Sequence, residues 1–139
     1  MSYINPTQAA IDKLIADSSA INTPIRMVNL LKFRPVADYG DAPDPAGDDG
    51  PSTGAQAYGR YGEIAMAEIL SLGGSVFSYA AADMTVIGPE DEAWDVVAII
   101  DYPSRAAFFE MIGRPSYQAG VHHREAGLAD TRLIMTTPA

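Results

Sequence analysis

The stretch "SYQAGVHHREAG", residues 116–127, holds both histidines of the chain, side by side at His122 and His123, with Arg124 and Glu125 behind them. Histidine is the side chain whose ordinary pKa lies nearest neutrality, so histidine-based acid–base chemistry would start here. Adjacent residues on a helix point about 100° apart, because 3.6 residues make a turn. The pair therefore cannot easily share one metal. A helical metal pair wants a spacing of three or four, as in H-E-x-x-H. His122 and Glu125 have that spacing but supply only two ligands. The stretch is read as the polar wall of a pocket, with no metal. On a helix, Val121, Glu125 and Leu128 would share one side, anchored by the two apolar residues. His122 adjoins that anchor and precedes Ala126 by four, so it is expected to be the inward histidine. His123, four residues before Gly127, is expected to face solvent. An inward His122 reaching Tyr61 or Trp94 could serve as acid or base. The plainer alternative gives both imidazoles a structural role.

Two arginines are candidates for holding an anion. Arg105 opens a helix, where the dipole disfavours a cation. It is expected to pair with an acid such as Asp101 or to hold a ligand anion. Arg124 could grip a carboxylate with two parallel hydrogen bonds, or form an ion pair at the surface or between subunits. Asn29 lies in the middle of an apolar strand, so its amide needs partners; Tyr61 and Trp94 are candidates. Lys32, on the same strand, can snorkel to solvent. The aromatics Tyr58, Tyr61, Tyr79, Trp94, Tyr102 and Tyr117 fall at core spacings. Yet tyrosine and tryptophan favour boundaries with one wet end, such as a pocket wall. The expected site has His122 and Tyr61 in catalysis and Asn29, Trp94, Tyr117, Arg105 and Arg124 in binding. No phosphate loop, dinucleotide fingerprint, nucleophile elbow or Ser-His-Asp order is present, and no cofactor is expected.

Composition narrows the class. The chain has 139 residues, 47% of them hydrophobic, and a net charge of −9. That length suggests one domain, here residues 1–139. The acidic balance disfavours nucleic acid and anionic membranes as partners. There is no cysteine, which removes disulfides, thiolate metal sites and a cysteine nucleophile. No signal-like segment or membrane-length apolar run is visible. A cytoplasmic protein is expected.

The elements that must position these residues follow from periodicity. Asn5 and Pro6 look like an N-cap and first helical residue, and Ala10, Ile11, Leu14 and Ile15 form a helical stripe. This N-terminal helical extension spans residues 1–24 and its helix ends near Asp17. "IRMVNLLKF", 25–33, is a strand. Residues 34–53 are rich in Asp, Pro and Gly and form a long loop. Its aspartates, Asp38, Asp41, Asp44, Asp48 and Asp49, are expected to be solvated and its backbone weakly protected. A helix follows from Gly54 to about Leu72, ended by Gly73 and Gly74. Strands are expected at 75–80, 84–88, 94–102 and over "TRLIMT". Pro103 and Ser104 open one more helix, closed by Gly113, and a short helical piece carries the histidines.

This order gives a ferredoxin-like α+β sandwich, βαββαβ, with an extra N-terminal helix. Two helices cover one face of the sheet. Yet the central strands are apolar on both sides: Trp94, Val96, Ala98 and Ile100 on one, Val97 and Ile99 on the other. A second copy of the same sheet is the simplest cover, giving a homodimer.

"MVNLLKF" and "WDVVAIIDYPSRAAFFEMIGRPSYQAGVHHREAGLADTRLI" together resemble the DUF1330 family of small bacterial proteins. The specific parts are Trp94 opening a strand, Tyr102-Pro103-Ser104-Arg105 at a turn into a helix, and Ser116-Tyr117-Gln118 before a basic residue. The resemblance implies a dimeric α/β barrel, in a superfamily that includes cofactor-free monooxygenases, haem proteins and muconolactone isomerases. The N-terminal helix and the Asp-rich loop lengthen this chain relative to the common family form. A small-molecule enzyme, a cofactor-free oxygenase or isomerase, is the first expectation. A non-catalytic small-molecule-binding dimer with the same pocket is the second. A perturbed, desolvated His or Tyr would favour the first.

Overall fold

The structure, a computed structural model, describes residues 2–138. Its centre is β1 (Ile25–Phe33), whose β-branched and long apolar residues suit a pleated buried surface. β1 pairs antiparallel with β3 (Val96–Tyr102) on one side and with β4 (Leu128–Thr136) on the other. β2 (Ser75–Ala81) closes the far edge, giving the order β2-β3-β1-β4. This is the strand order of a ferredoxin-like α+β fold.

Register decides which residues face which way. Ile25, Met27, Asn29 and Leu31 lie opposite Tyr102, Ile100, Ala98 and Val96. These point to the helical side, where α2 (Gly54–Ser71), α3 (Arg105–Gly113), α4 (Pro115–Gln118) and α5 (Val121–Gly127) lie. The alternate residues, among them Val28, Leu30, Val97 and Ile99, occupy the opposite face. On that face Arg26 grips Asp101 bidentately, Nε–Oδ1 2.7 Å and Nη2–Oδ2 3.0 Å. The guanidinium holds the Asp101 carboxyl below the usual carboxylate range. Asp101 is therefore not the partner of Arg105.

Caps set the helix starts. Thr53 and Gln56 make a reciprocal capping box at α2. Ser104 Oγ accepts from Ala107 N at 3.0 Å, which fixes Arg105 as the first helical residue of α3. α1 (Gln8–Ser18) begins later than expected: Thr7, not Asn5, accepts the capping bond from Ala10 N at 3.1 Å. At the other end of the sheet α2 and α5 meet main chain to main chain. A Cβ on Gly127 would lie 2.5 Å from Gly54 O and 2.8 Å from Tyr58 N. Arg34 N donates to Gly127 O at 2.8 Å, and Gly54 N to Arg34 O at 3.0 Å.

Three further expectations fail. Residues 84–88 do not form a strand. They lie in the loop between β2 and β3, with Met84, Val86 and Ile87 exposed at 76, 80 and 94%. Their β-prone composition has no neighbouring strand to pair with, and pairing rather than propensity makes a strand. β4 begins at Leu128 rather than Thr131, because Lys32 and Phe33 continue the ladder through a bulge. The 34–53 loop is tied down, and Asp44 is not merely solvated. Its carboxylate accepts from Ala46 N at 2.9 Å, Ser52 N at 2.8 Å and Ser52 Oγ at 2.7 Å. These bonds hold its pKa low.

Gly127→Ala is expected to cost about 1–3 kcal/mol, because its methyl meets backbone that cannot yield. Gly59→Ala, on open helix surface with nothing within 4 Å, should be neutral or stabilising by up to about 1 kcal/mol. Urea denaturation of both variants checks the contrast; equal stabilities would contradict the packing.

Candidate functional site: a cavity between sheet and helices

The helical face of the sheet is not filled. The packed cluster of Ile25, Met27, Ile69, Tyr102 and Met111 lies towards one end, and that of Leu31, Ala98 and Leu128 towards the other. A cavity of about 990 Å³ opens along this face, bounded by Met27, Asn29, Leu31, Ala98 and Ile100 of the sheet. Tyr58, Tyr61 and Ala65 of α2 and Arg105, Phe108 and Met111 of α3 form the facing wall. That volume is at the upper end of small-molecule pockets, which run roughly 300–1,000 Å³.

α1 lies across the mouth. Ala10, Ile11 and Leu14, the predicted apolar stripe, border the cavity, yet no residue of α1 is fully buried. It rests against α3, and the preceding strap ties it to the sheet. Tyr3 N donates to Asp130 Oδ1 at 2.8 Å, Thr131 N to Tyr3 O at 2.9 Å, and Arg124 Nη2 to Ile4 O at 2.7 Å.

The structure brings together five of the seven expected site residues. Asn29, Tyr61, Tyr117, Arg105 and Arg124 all border the cavity. Tyr61 and Tyr117 share a hydroxyl–hydroxyl hydrogen bond of 2.7 Å. Burial pushes the Tyr61 phenol well above its ordinary value, reinforced by the neighbouring Tyr117. Burial raises Tyr58 and Tyr102 as well. These phenols stay protonated at neutral pH, so they donate hydrogen bonds and do not act as bases. Asn29 donates to Ala98 O at 3.1 Å, not to Tyr61 or Trp94. Its Oδ1 accepts no hydrogen bond among the described residues.

Two arginines have a buried nitrogen without a partner, Arg34 at Nε and Arg105, and of the two only Arg105 borders the cavity. Its Nη1 is buried in the wall with no hydrogen-bond partner. No carboxylate lies within ion-pair distance of it among the described residues. The residue as a whole is half-buried, and one buried N–H left unpaired costs about 1–3 kcal/mol.

Trp94 and His122 are the two expected residues that the cavity excludes. Trp94 lies just before β3, where the Arg132 guanidinium stands 5.1 Å from its ring centroid. The chain leaves the strand alternation at Asp95, whose carboxylate accepts from Phe33 N at 2.8 Å. His122 is exposed, and His123 is the inward histidine. His123 joins a polar chain outside the cavity. Arg60 Nη1 donates to Tyr39 Oη at 2.8 Å, which leaves the Tyr39 proton for His123 Nδ1, 2.8 Å away. Arg60 Nη2 donates to Ser52 Oγ at 2.8 Å, which binds Asp44 in turn. Sequence reasoning missed Tyr39, Ser52 and Arg60. The signals present were the Asp44-Pro45 turn and the Thr53–Gln56 box.

The antiparallel sheet with helices on one face defines a ferredoxin-like α+β protein, and known structures agree. A protein of unknown function from Rhodopseudomonas palustris, solved as a structural genomics target, is 39% identical over 100% of this chain and 98% of that one, with a TM-score of 0.88. A methylated form of that protein is 40% identical over 99% and 96%, with a TM-score of 0.86. The chain belongs to the family of this Rhodopseudomonas palustris protein. The N-terminal helix and the Asp-rich loop fall inside that full-length match. A dabb family protein with a ferredoxin-like fold from Mesorhizobium loti is 15% identical over 84% and 97%, with a TM-score of 0.50, a likeness of fold alone. No family model and no curated protein matches the chain. Among the described residues, no helix is long and apolar enough to cross a membrane.

Desolvation, then the nearby His122 and Arg60, lower the His123 pKa below 6.5. The unfolded chain therefore binds more protons than the folded one between that lowered midpoint and 6.5. Stability rises with pH across this window; the contribution of neutral His123 is complete above it and lost as pH falls through it. His123→Asn should flatten the pH dependence of the denaturation midpoint there. An unchanged slope would contradict the burial of His123 beside Arg60.

Proposed function

We propose that this protein binds an elongated, mostly apolar small molecule through a single carboxylate held at Arg105. The observation that carries the reading is the Arg105 guanidinium on the cavity lining with no carboxylate in ion-pair distance among the described residues. An anion in the cavity supplies the missing counter-charge. The apolar walls select the rest of the ligand by burial, roughly 25 cal/mol per Å².

Binding is favoured over catalysis for a chemical reason. The described residues bordering the cavity include no histidine, and its buried phenols stay protonated. The cofactor-free oxygenase or isomerase suggested by the resemblance to DUF1330 would need a poised acid or base there. Asp17, the carboxylate among the lining residues, sits at the rim and pairs with Lys13 at 2.9 Å. Calorimetric titration with decanoate and decanol is the test. Arg105→Met should weaken decanoate by about 1.5–3 kcal/mol, roughly 10- to 100-fold, and leave decanol unchanged. Equal losses for both, or none, would contradict the assignment.

The same reading includes a homodimer through the open sheet face, as the DUF1330 resemblance implies. Phe77 and Ile134 are 58 and 51% exposed on that face, beside the half-buried Val28, Leu30, Val97 and Ile99. A contiguous apolar sheet face of this kind calls for a cover. Sedimentation should give a dimer at micromolar concentration, and Ile99→Lys a monomer. A wild-type monomer would overturn the arrangement.

A further inference from the structure

We infer that the ligand carries two polar ends, with a second oxygen received by the Tyr58 hydroxyl and Arg124 at the far end of the cavity. This rests on the binding reading above and specifies its ligand class: a long-chain acid oxygenated at its other terminus, of which a dicarboxylate is the simplest member.

The two loci lie at opposite ends of the sheet. Arg105 follows Tyr102, the last residue of β3, which pairs with Ile25 at the start of β1. Arg124 lies one turn before Leu128, the first residue of β4, which pairs with Phe33 at the end of β1. From Ile25 to Leu31 the strand advances roughly 20 Å, but the long side chains reach inward from both ends. The Tyr58 hydroxyl is near enough to Tyr102 to act on it electrostatically, so the polar ends stand closer together than the main-chain positions. The side chains between are apolar or small: Met27, Ala98, Ala65 and Gly62 all border the cavity.

The far locus has free hydrogen-bonding capacity. Tyr58 Oη makes no hydrogen bond among the described residues, and it is not one of the atoms sealed into the wall. It lies within reach of the Arg124 charge and stays protonated, so it is a donor. Arg124 has no carboxylate partner among the described residues; its bond is to the main-chain carbonyl of Ile4. That bond uses one of the five guanidinium N–H groups and leaves the charge without a counter-charge. That carbonyl belongs to the strap leading into α1, whose residues are nowhere fully buried. A ligand oxygen can take the remaining N–H groups of Arg124 beside the bond to Ile4 O, so the second polar end is read where the cover is attached.

Decanoate and decanedioate share a chain length and differ in the second carboxylate, which makes them the probes. A cavity with one polar locus strands that carboxylate among apolar side chains and rejects it. Calorimetry on the full-length protein should show decanedioate binding about tenfold more tightly than decanoate. Tyr58→Phe removes a hydroxyl with no protein partner, so the variant should fold and lose most of that preference, read as the ratio of the two affinities. Arg124→Met should do the same, with faster amide exchange in residues 3–18. Decanoate binding as well as or better than the diacid would overturn the second locus while leaving the Arg105 site standing. A diacid preference that survives in both variants would also overturn it. Failure of both acids to bind would overturn the cavity reading itself.

Discussion

The close approach of α2 and α5 at Gly54 and Gly127 sets the space between helices and sheet. Main chain lies on main chain there, and Arg34 joins both segments to the end of β1 through two hydrogen bonds. The helices are thereby clamped at one end of the sheet, and the cluster around Ile25, Ile69 and Met111 packs them at the other. Between the two, small residues face one another: Ala65 and Gly62 from α2, Ala98 from β3. Leucine at those places would fill the gap at native density. The sequence instead leaves a long void, which the N-terminal segment covers without packing into it.

Electrostatics give that void its character. The chain carries a net charge of −9, and its acids stand mainly on exposed loops and helix surfaces. Two arginines border the cavity without carboxylate partners among the described residues. Charges in such a low-dielectric setting interact far more strongly than at the surface. The phenols beside them are held protonated by burial. The proposed anion would meet both a positive charge and hydrogen-bond donors there. Proton-transfer chemistry has a poorer footing, since the one depressed imidazole, His123, belongs to the chain that pins the 34–53 loop through Tyr39 and Arg60.

Much of this was legible in the sequence. The bounds of β1 and α2, and most of β3, followed from periodicity, glycine stops and helix openers, since the pattern there agrees with the tertiary environment. Asn29 and Tyr61 were legible for the same reason: each stands on a strand or helix whose face could be read. The errors share another cause. Gly127 was read as a sign of exposure, which placed His123 outside. It is in fact the point of closest packing, and turning that side of α5 inward takes His123 with it. Residues 84–88 have strand composition, but no edge lies beside them. Asp101 was the nearest acid to Arg105 in sequence; a strand position, however, faces one side only, and register gave Asp101 to Arg26. Trp94 fits the alternation of β3 until Asp95 bonds to Phe33 and breaks it. In each case the deciding contact joins residues far apart in the chain.

The central claim is that a carboxylate in the cavity completes the charge of Arg105. The most direct measurement is the arginine side-chain NMR spectrum of the protein titrated with decanoate. The account predicts that the Arg105 Nε–H resonance moves saturably, with the midpoint found by calorimetry, and that the arginines of the opposite sheet face, such as Arg26, stay still. Saturable binding of decanoate that leaves the Arg105 resonance unmoved would contradict it.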